Sequence, residues 1–311
     1  MEFLRLLEGL RTPFFDAFFS LVTRLGEETV FMAVGMLILW CVDKKWGFRF
    51  FLIGLVGNAL NQLLKAIFVV PRPWLMEESF TIVESARSAA TGYSFPSGHT
   101  SSAVTVFGSI AAWQKRPAVT WACVGLILLT AFSRMYLGVH TPLDVGVSLA
   151  VAAAVVLFFA WLFNAVDKSE RAKYWIGAGV GALALALLFY VLFAPARPAS
   201  VAEFDEHGVK NAWTLLGTTL GLFLAWWVDA RHTHFEVKAV WWAQILKLVL
   251  GLALIVALRA GLKALFAALF GDWMALNGLR YFLMTVAGGV LWPMTFPYFA
   301  GLGGKGGKNN G

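Results

Sequence analysis

The stretch of the chain with the clearest chemical content is Ser133-Arg134, five residues, His140, three residues, Asp144. Thr141-Pro142-Leu143-Asp144 has the order of a helix start: a capping hydroxyl, then a proline and an acid in the first turn. Asp144 then lies one turn beyond His140, within reach of a ring nitrogen. A carboxylate on one nitrogen fixes the tautomer and leaves the other nitrogen more basic, as a nucleophilic imidazole requires. The same carboxylate is equally suited to capping the helix. Spacing alone leaves both readings open.

Two further clusters supply partners for such chemistry. Gly92-Tyr93-Ser94-Phe95-Pro96-Ser97-Gly98-His99-Thr100 ends a long polar connection and feeds an apolar segment. Small and hydroxyl residues at a helix start leave backbone N–H groups pointing outward, a ready anion site, and Gly98 lets a ligand approach the backbone closely. Upstream, Asn58, Asn61, Gln62 and Lys65 recur at helical spacing as one polar stripe, followed by Pro71-Arg72-Pro73. Taken singly, Lys65 reads as a snorkelling side chain and Arg72 as an interfacial anchor. Together the clusters offer three cations (Lys65, Arg72, Arg134), two histidines, one carboxylate and a helix-start cradle. Cations and oriented N–H groups stabilise phosphoryl oxygens as charge develops. Asp, Glu and His are nowhere dense enough to hold a divalent ion, so the expected chemistry uses no metal and no cofactor.

The elements that must position these residues follow from composition. Of 311 residues, 59% are hydrophobic and only 14% charged, with 27 Phe and 14 Trp. Soluble chains carry about 25% charged residues. A soluble enzyme, a disordered chain and a disulfide scaffold are excluded, and an all-α, polytopic membrane helical bundle is expected. A span needs roughly 20 apolar residues. Nine transmembrane helices are expected, near 27–43, 47–70, 100–114, 118–133, 142–166, 174–194, 212–228, 239–258 and 281–302. Residues 2–25, with Glu2, Arg5, Glu8, Arg11 and Asp16 on one side, read as an N-terminal interfacial amphipathic helix, and 259–272 as a second surface helix. No secretory signal is expected at the start. Cys41 and Cys123 both lie in apolar runs and read as small core residues.

Orientation comes from the connections. Lys44-Lys45 with Arg49, Lys115-Arg116, Lys168/Arg171/Lys173 and Arg231/Lys238 form short basic loops, as cytoplasmic loops do. The three chemical clusters fall on the opposite, outer face. The net charge of +7 is thus assigned to membrane orientation and anionic headgroups, with no nucleic-acid partner.

With these residues in place, a resemblance can be stated. Lys65 through Arg72-Pro73, Pro96-Ser97-Gly98-His99, and Ser133-Arg134 through His140 to Asp144 resemble the three signature motifs of the type 2 phosphatidic acid phosphatase superfamily, in order and with every signature residue present. The resemblance covers about residues 12–166. It implies an integral membrane lipid phosphatase whose site opens at the outer leaflet, expected in a bacterial plasma membrane. It further implies that His140 attacks phosphorus to form a phosphohistidine, Asp144 orients it, and His99 protonates the departing oxygen and later assists water. Lys65, Arg72, Ser97, Gly98 and Arg134 would hold the phosphoryl oxygens. The motifs also resemble those of vanadium haloperoxidases, which are soluble proteins, and the apolar chain argues against that activity.

The expected partner is a phosphorylated membrane lipid, with undecaprenyl diphosphate as first choice and phosphatidic acid or phosphatidylglycerol phosphate as alternatives. Phosphoryl transfer to a second acceptor and non-catalytic lipid-phosphate binding or transport are the rival functions. The chain divides into an amphipathic helix (1–26), a phosphatase core (27–166), additional transmembrane helices (167–302) and a flexible tail (303–311). Nothing diagnostic marks the additional helices, which would wall the lipid's access route, form a homodimer surface or carry a separate activity. Arg197-Pro198 lacks a lysine at position 190, which is Tyr190, and reads as a loop. His232 and His234 read as polar loop residues, and Lys247 as snorkelling or lining a second cavity.

Overall fold

A computed structural model describes residues 1–77, 79–166, 169–195 and 202–302. The Arg197-Pro198 loop and the tail lie outside the described residues. Among the described residues there is no strand, and the chain is a helical bundle. Helices α1 (Glu2–Gly9) and α2 (Pro13–Val22) precede α3 (Glu28–Leu37) and α4 (Lys44–Phe68). After the short α5 (Pro73–Met76) come α6 (Gly98–Ala103) and α7 (Ser109–Gln114), joined by a π-helical turn, Val104–Gly108. Then follow α8 (Pro117–Tyr136), α9 (Pro142–Val166), α10 (Glu170–Leu192), α11 (Ala202–Val228), α12 (Trp241–Phe270), α13 (Ala275–Val286) and α14 (Phe296–Gly301).

Among the described residues, six segments are long and apolar enough to cross a membrane: Lys44–Met76, Pro117–Tyr136, Pro142–Val166, Arg171–Leu192, Trp241–Phe270 and Leu276–Gly301. Pro13–Gly26 with Glu28–Val42, bent by 51°, adds a seventh if the pair is one span. Two expected spans do not meet this measure. The segment at 100–114 is broken into six-residue helices around the π turn. In α11 the apolar run is diluted by Asn211, Thr214, Thr218 and Thr219.

The N-terminal region departs from a single helix over 2–25. It breaks after Gly9, because Thr12 caps a new helix through Phe15 N (3.4 Å) and Pro13 starts it. Leu4 and Leu7 of α1 are buried, Leu4 beside Phe80 and Ile82, so α1 packs on residues 80–82. Phe14, Phe18 and Leu21 of α2 stay exposed. At the other end, the expected boundary at 258 is absent. No proline interrupts Trp241–Phe270, and one 30-residue helix continues through it.

Helices α4, α6–α7, α8 and α9 form the motif-bearing core, and α10 and α11 pack onto α4. Helices α11 and α13 meet backbone to backbone, since a Cβ on Gly217 would collide with the Gly278 carbonyl. Small residues of this kind let membrane helices approach closely, where packing replaces the hydrophobic drive as the source of association. The bundle therefore brings the additional helices directly against α4, the helix that carries Lys65.

Candidate active site

All three clusters converge at one end of the bundle. Lys65 is near the C-terminus of α4, Arg72 follows it, His99 opens α6, Arg134 ends α8, and His140 precedes α9. Lys65, Arg72, Gly98, His99 and His140 line one cavity of about 530 Å³. Both imidazoles face the same space.

Local sequence explains how each group is held. Ser97 caps α6, its hydroxyl accepting from Thr100 N (3.4 Å), and its own N–H donates to the Asp144 carbonyl (3.1 Å). The Ser97 carbonyl accepts from Ser148 Oγ (2.8 Å), which ties α6 to α9. A Cβ built on Gly98 meets only Asn61 Oδ1, at 3.8 Å, so no protein neighbour claims that space. Gly26 answers a different need: a Cβ there would lie 2.5 Å from the His99 carbonyl oxygen, so its bareness lets the His99 turn seat.

The geometry assigns the tautomer of His140. Arg72 Nη1 lies 3.0 Å from His140 Nε2. A guanidinium only donates, so Nε2 accepts and the ring proton sits on Nδ1. Nδ1 is 3.4 Å from both Asp144 Oδ2 and Ser94 Oγ, and Ser94 donates to that same Oδ2 at 2.6 Å. Asp144 Oδ2 also accepts from Thr141 N (2.8 Å), while Thr141 Oγ1 accepts from Asp144 N (3.2 Å). The carboxylate caps the helix and at the same time lies within 3.4 Å of the imidazole, so capping does not carry it away from the ring. Burial, followed by the charges of Arg72, Arg134 and Lys65, lowers the His140 pKa well below its ordinary value and keeps the ring neutral.

Two of the three cations, Lys65 and Arg72, share the carbonyls of one loop. Arg72 donates from Nε to Gly92 O (2.9 Å), from Nη2 to Thr91 O (2.7 Å) and from Nη1 to Val139 O (3.1 Å). Lys65 Nζ donates to the next carbonyl, Tyr93 O. Gly92 has φ +65°, a left-handed conformation that a side chain would strain. Arg134 is fully buried and donates from Nη1 to Thr23 Oγ1 (2.6 Å), while its Nε and Nη2 have no partner. His99 Nε2 is likewise buried without a partner. Polar atoms buried without a partner are costly, so these positions call for an explanation. Ser97, Arg134 and Asp144 stand behind the cavity wall instead of lining it.

Two features escape the sequence reading. Ser94 lies inside a quoted motif region, yet nothing in its spacing signals that it bridges Asp144 and His140. Helix α11, given no role, reaches the cation-holding loop: Tyr93 Oη donates to Asp205 Oδ1 (2.8 Å), and Thr91 Oγ1 is 3.1 Å from His207 Nε2. Among the described residues, no three of His, Cys, Asp and Glu gather as a metal site. His232 and His234 lie at the far end of α11, away from the cavity, and Lys247 is fully buried, donating to Val237 O (2.9 Å).

Comparison with known proteins identifies a family. Residues 46–168 match the PAP2 superfamily, and residues 213–305 match the transmembrane extension of PAP2 superfamily phosphatases. The chain belongs to the PAP2 superfamily. It is 36% identical over 106 residues to the undecaprenyl-diphosphatase BcrC of Bacillus subtilis, covering 34% of this chain and 52% of that protein. It is 25% identical over 243 residues to a probable sphingosine-1-phosphate phosphatase of Dictyostelium discoideum (73% of this chain, 57% of that protein). A lipid A 4'-phosphatase of Porphyromonas gingivalis is 24% identical over 217 residues, 67% of this chain and 82% of that protein. The chain spans about half the length of the first two of these relatives. No solved structure matches it.

Proposed function

We propose that the protein hydrolyses a phosphate or diphosphate ester of a membrane lipid through a phosphohistidine, at the outer face of a bacterial plasma membrane. The observation that carries this reading is the Arg72–His140–Asp144 relay, with Nε2 of His140 as the unprotonated nitrogen facing a cationic cavity. On substrate arrival, Arg72 Nη1 transfers its hydrogen bond from Nε2 to a phosphoryl oxygen, which frees the lone pair to attack. The Nε2–P bond forms as the P–O bond to the lipid breaks, and His99 gives its proton to the departing oxygen. Water then attacks phosphorus, His99 takes its proton, the P–N bond breaks, and inorganic phosphate leaves. Lys65, Arg72, Arg134 and the Ser97-Gly98 helix start stabilise the phosphoryl charge throughout. Helices α6–α7 and α11 cross the bilayer with the other spans, giving nine, and α1 lies in the outer interface.

Undecaprenyl diphosphate is the proposed substrate, supported by the 36% identity to BcrC over 106 residues. Purified protein is expected to release inorganic phosphate from it in the presence of excess chelator. Loss of turnover in chelator with recovery on adding magnesium would contradict the mechanism. Transfer of the phosphoryl group to a lipid acceptor without free phosphate would establish the transferase alternative.

The pH dependence follows from the shifted histidine. Because the His140 pKa is lowered, the nucleophile is neutral above that value and is lost only as pH falls through it. The acid limb of kcat/KM should therefore lie below the ordinary imidazole value of about 6.5. Phosphoryl charge arriving beside His99 favours its protonated form, so kcat should also fall at high pH. An acid limb above about 7 would contradict the neutral His140.

The α11 contacts carry a further expectation. Removing the Asp205 carboxylate (Asp205→Ala) deprives the Tyr93 hydroxyl of its acceptor and loosens the loop that holds Lys65 and Arg72. A hydrogen bond to a charged group contributes about 1.5–3 kcal/mol, so kcat/KM should fall roughly 10- to 100-fold. Tyr93→Phe should reproduce most of that loss, and the double variant should add little. Full additivity would show that the two residues act separately.

A further inference from the structure

The cavity continues well past its polar end. Along α4 its lining runs from Lys65 down to Leu55, which at 1.5 Å per residue is about 15 Å. Along α11 it runs from Asp205 to Thr218, roughly 20 Å. The upper part carries hydrogen-bonding groups, among them Asn58, Asn61, Gln62 and Asn211. The lower part is lined by Met32, Met36, Leu55, Leu215, Ile255 and Met284. Thr218 and Thr285 also reach it, but their hydroxyls donate back to Thr214 O and Tyr281 O on their own helices, each at 2.8 Å. Bonded in this way, neither hydroxyl needs a proton acceptor from a ligand.

The slot has a floor. A Cβ on Gly288 would meet Ile255 Cδ1 at 3.2 Å, Met36 Cε at 3.4 Å and Trp40 Cζ2 at 3.6 Å, so these side chains close over the backbone. Trp40 fixes the arrangement by donating from Nε1 to Gly288 O at 2.9 Å. An apolar cavity of this kind forfeits dispersion contacts along its lining, and a hydrocarbon chain restores them. Leu215, Ile255 and Met284 come from α11, α12 and α13, so much of the apolar wall belongs to the C-terminal helices.

We propose that α11, α12 and α13 close, against α3 and α4, an internal subsite for one hydrocarbon chain of the phosphorylated lipid. The segment of the chain nearest the phosphate is held inside the protein above Gly288 instead of along its lipid-facing surface, bounded by Met36, Leu215, Ile255 and Met284, and a chain longer than this slot, such as undecaprenyl, turns out of it toward the membrane. The proposal rests on the phosphatase reading, and its test keeps the two separate.

Purified full-length protein is assayed on two phosphate monoesters, a long-chain alkyl phosphate in detergent and butyl phosphate in water. Met284→Trp and Leu215→Trp fill the slot below the polar site. An indole in the slot takes the space the chain would occupy, so kcat/KM for the long-chain ester should drop about tenfold or more while butyl phosphate hydrolysis stays within about twofold. Met36→Ala, which deepens the floor, should move the preferred alkyl length upward. As a measurement independent of folding of the variants, a long-chain phosphate with a photoreactive terminal group should label wild-type residues around Met36, Ile255 and Gly288. Unchanged long-chain turnover in both tryptophan variants, equal loss on both esters, or labelling confined to the exposed face of α12 would overturn the subsite. Failure of wild-type protein to hydrolyse either ester would overturn the phosphatase reading itself.

Discussion

His140→Ala is expected to abolish turnover, with kcat reduced by about 10⁴-fold or more, the scale seen when a covalent nucleophile is removed from a relay of this type. The expectation comes from geometry as well as from motif. His140 is about 1% exposed, its Nε2 is the acceptor nitrogen, and its Nδ1 is directed at Asp144 and Ser94. No other imidazole in the cavity is so oriented. His99 has its Nε2 buried without a partner, and His207 sits beside Thr91. His99→Ala should behave differently: formation of the phosphohistidine slows, and its hydrolysis slows more, so acid-labile phosphate accumulates on the protein. Near-normal turnover in His140→Ala would remove the proposed nucleophile. Acid-labile phosphate on a residue other than His140 would reassign it.

The second large effect is expected at Arg72. Its guanidinium is 3% exposed and joins three backbone carbonyls and the His140 ring, so it sets the loop, the tautomer and the phosphoryl site together. Arg72→Ala should cost about 10²–10³-fold in kcat through lost charge stabilisation alone. Arg72→Lys should recover little of this, because an ammonium is a point charge and cannot span Thr91, Gly92 and Val139 in one plane. Measuring both variants separates charge from shape. Recovery to near wild-type activity with lysine would show that charge alone is required. Ser94→Ala provides a gentler control, since Asp144 keeps its bond from Thr141 N when the serine proton is lost.

Much of the site was legible in the chain because its parts are local in character. The Thr141–Asp144 helix start, the small residues around Ser97 and the polar stripe ending at Lys65 each declare themselves within a few residues. Helix ends are governed by short-range capping and by proline, which is also why the break at Leu10–Thr12 follows directly from Thr12 and Pro13 once the structure is seen. The continuous α12 was misread for the converse reason. Arg259 and Lys263 mark a polar change, but polarity alone does not end a helix when no capping residue or proline follows.

Composition and spacing by themselves determined an all-helical membrane chain and singled out three polar clusters, with His99, His140, Asp144, Lys65, Arg72 and Arg134 as candidates. They did so because apolar length and helix-start chemistry depend on neighbours in sequence. Only the tertiary structure decided that Ser94 bridges the relay, that the carbonyls of residues 91–93 hold both cations, and that α11 to α13 wall the cavity. That cavity is lined by residues up to 259 positions apart, Gly26 and Thr285. No local pattern specifies which faces of separate helices meet, because that choice is made by packing, including the close approach of Gly217 to Gly278.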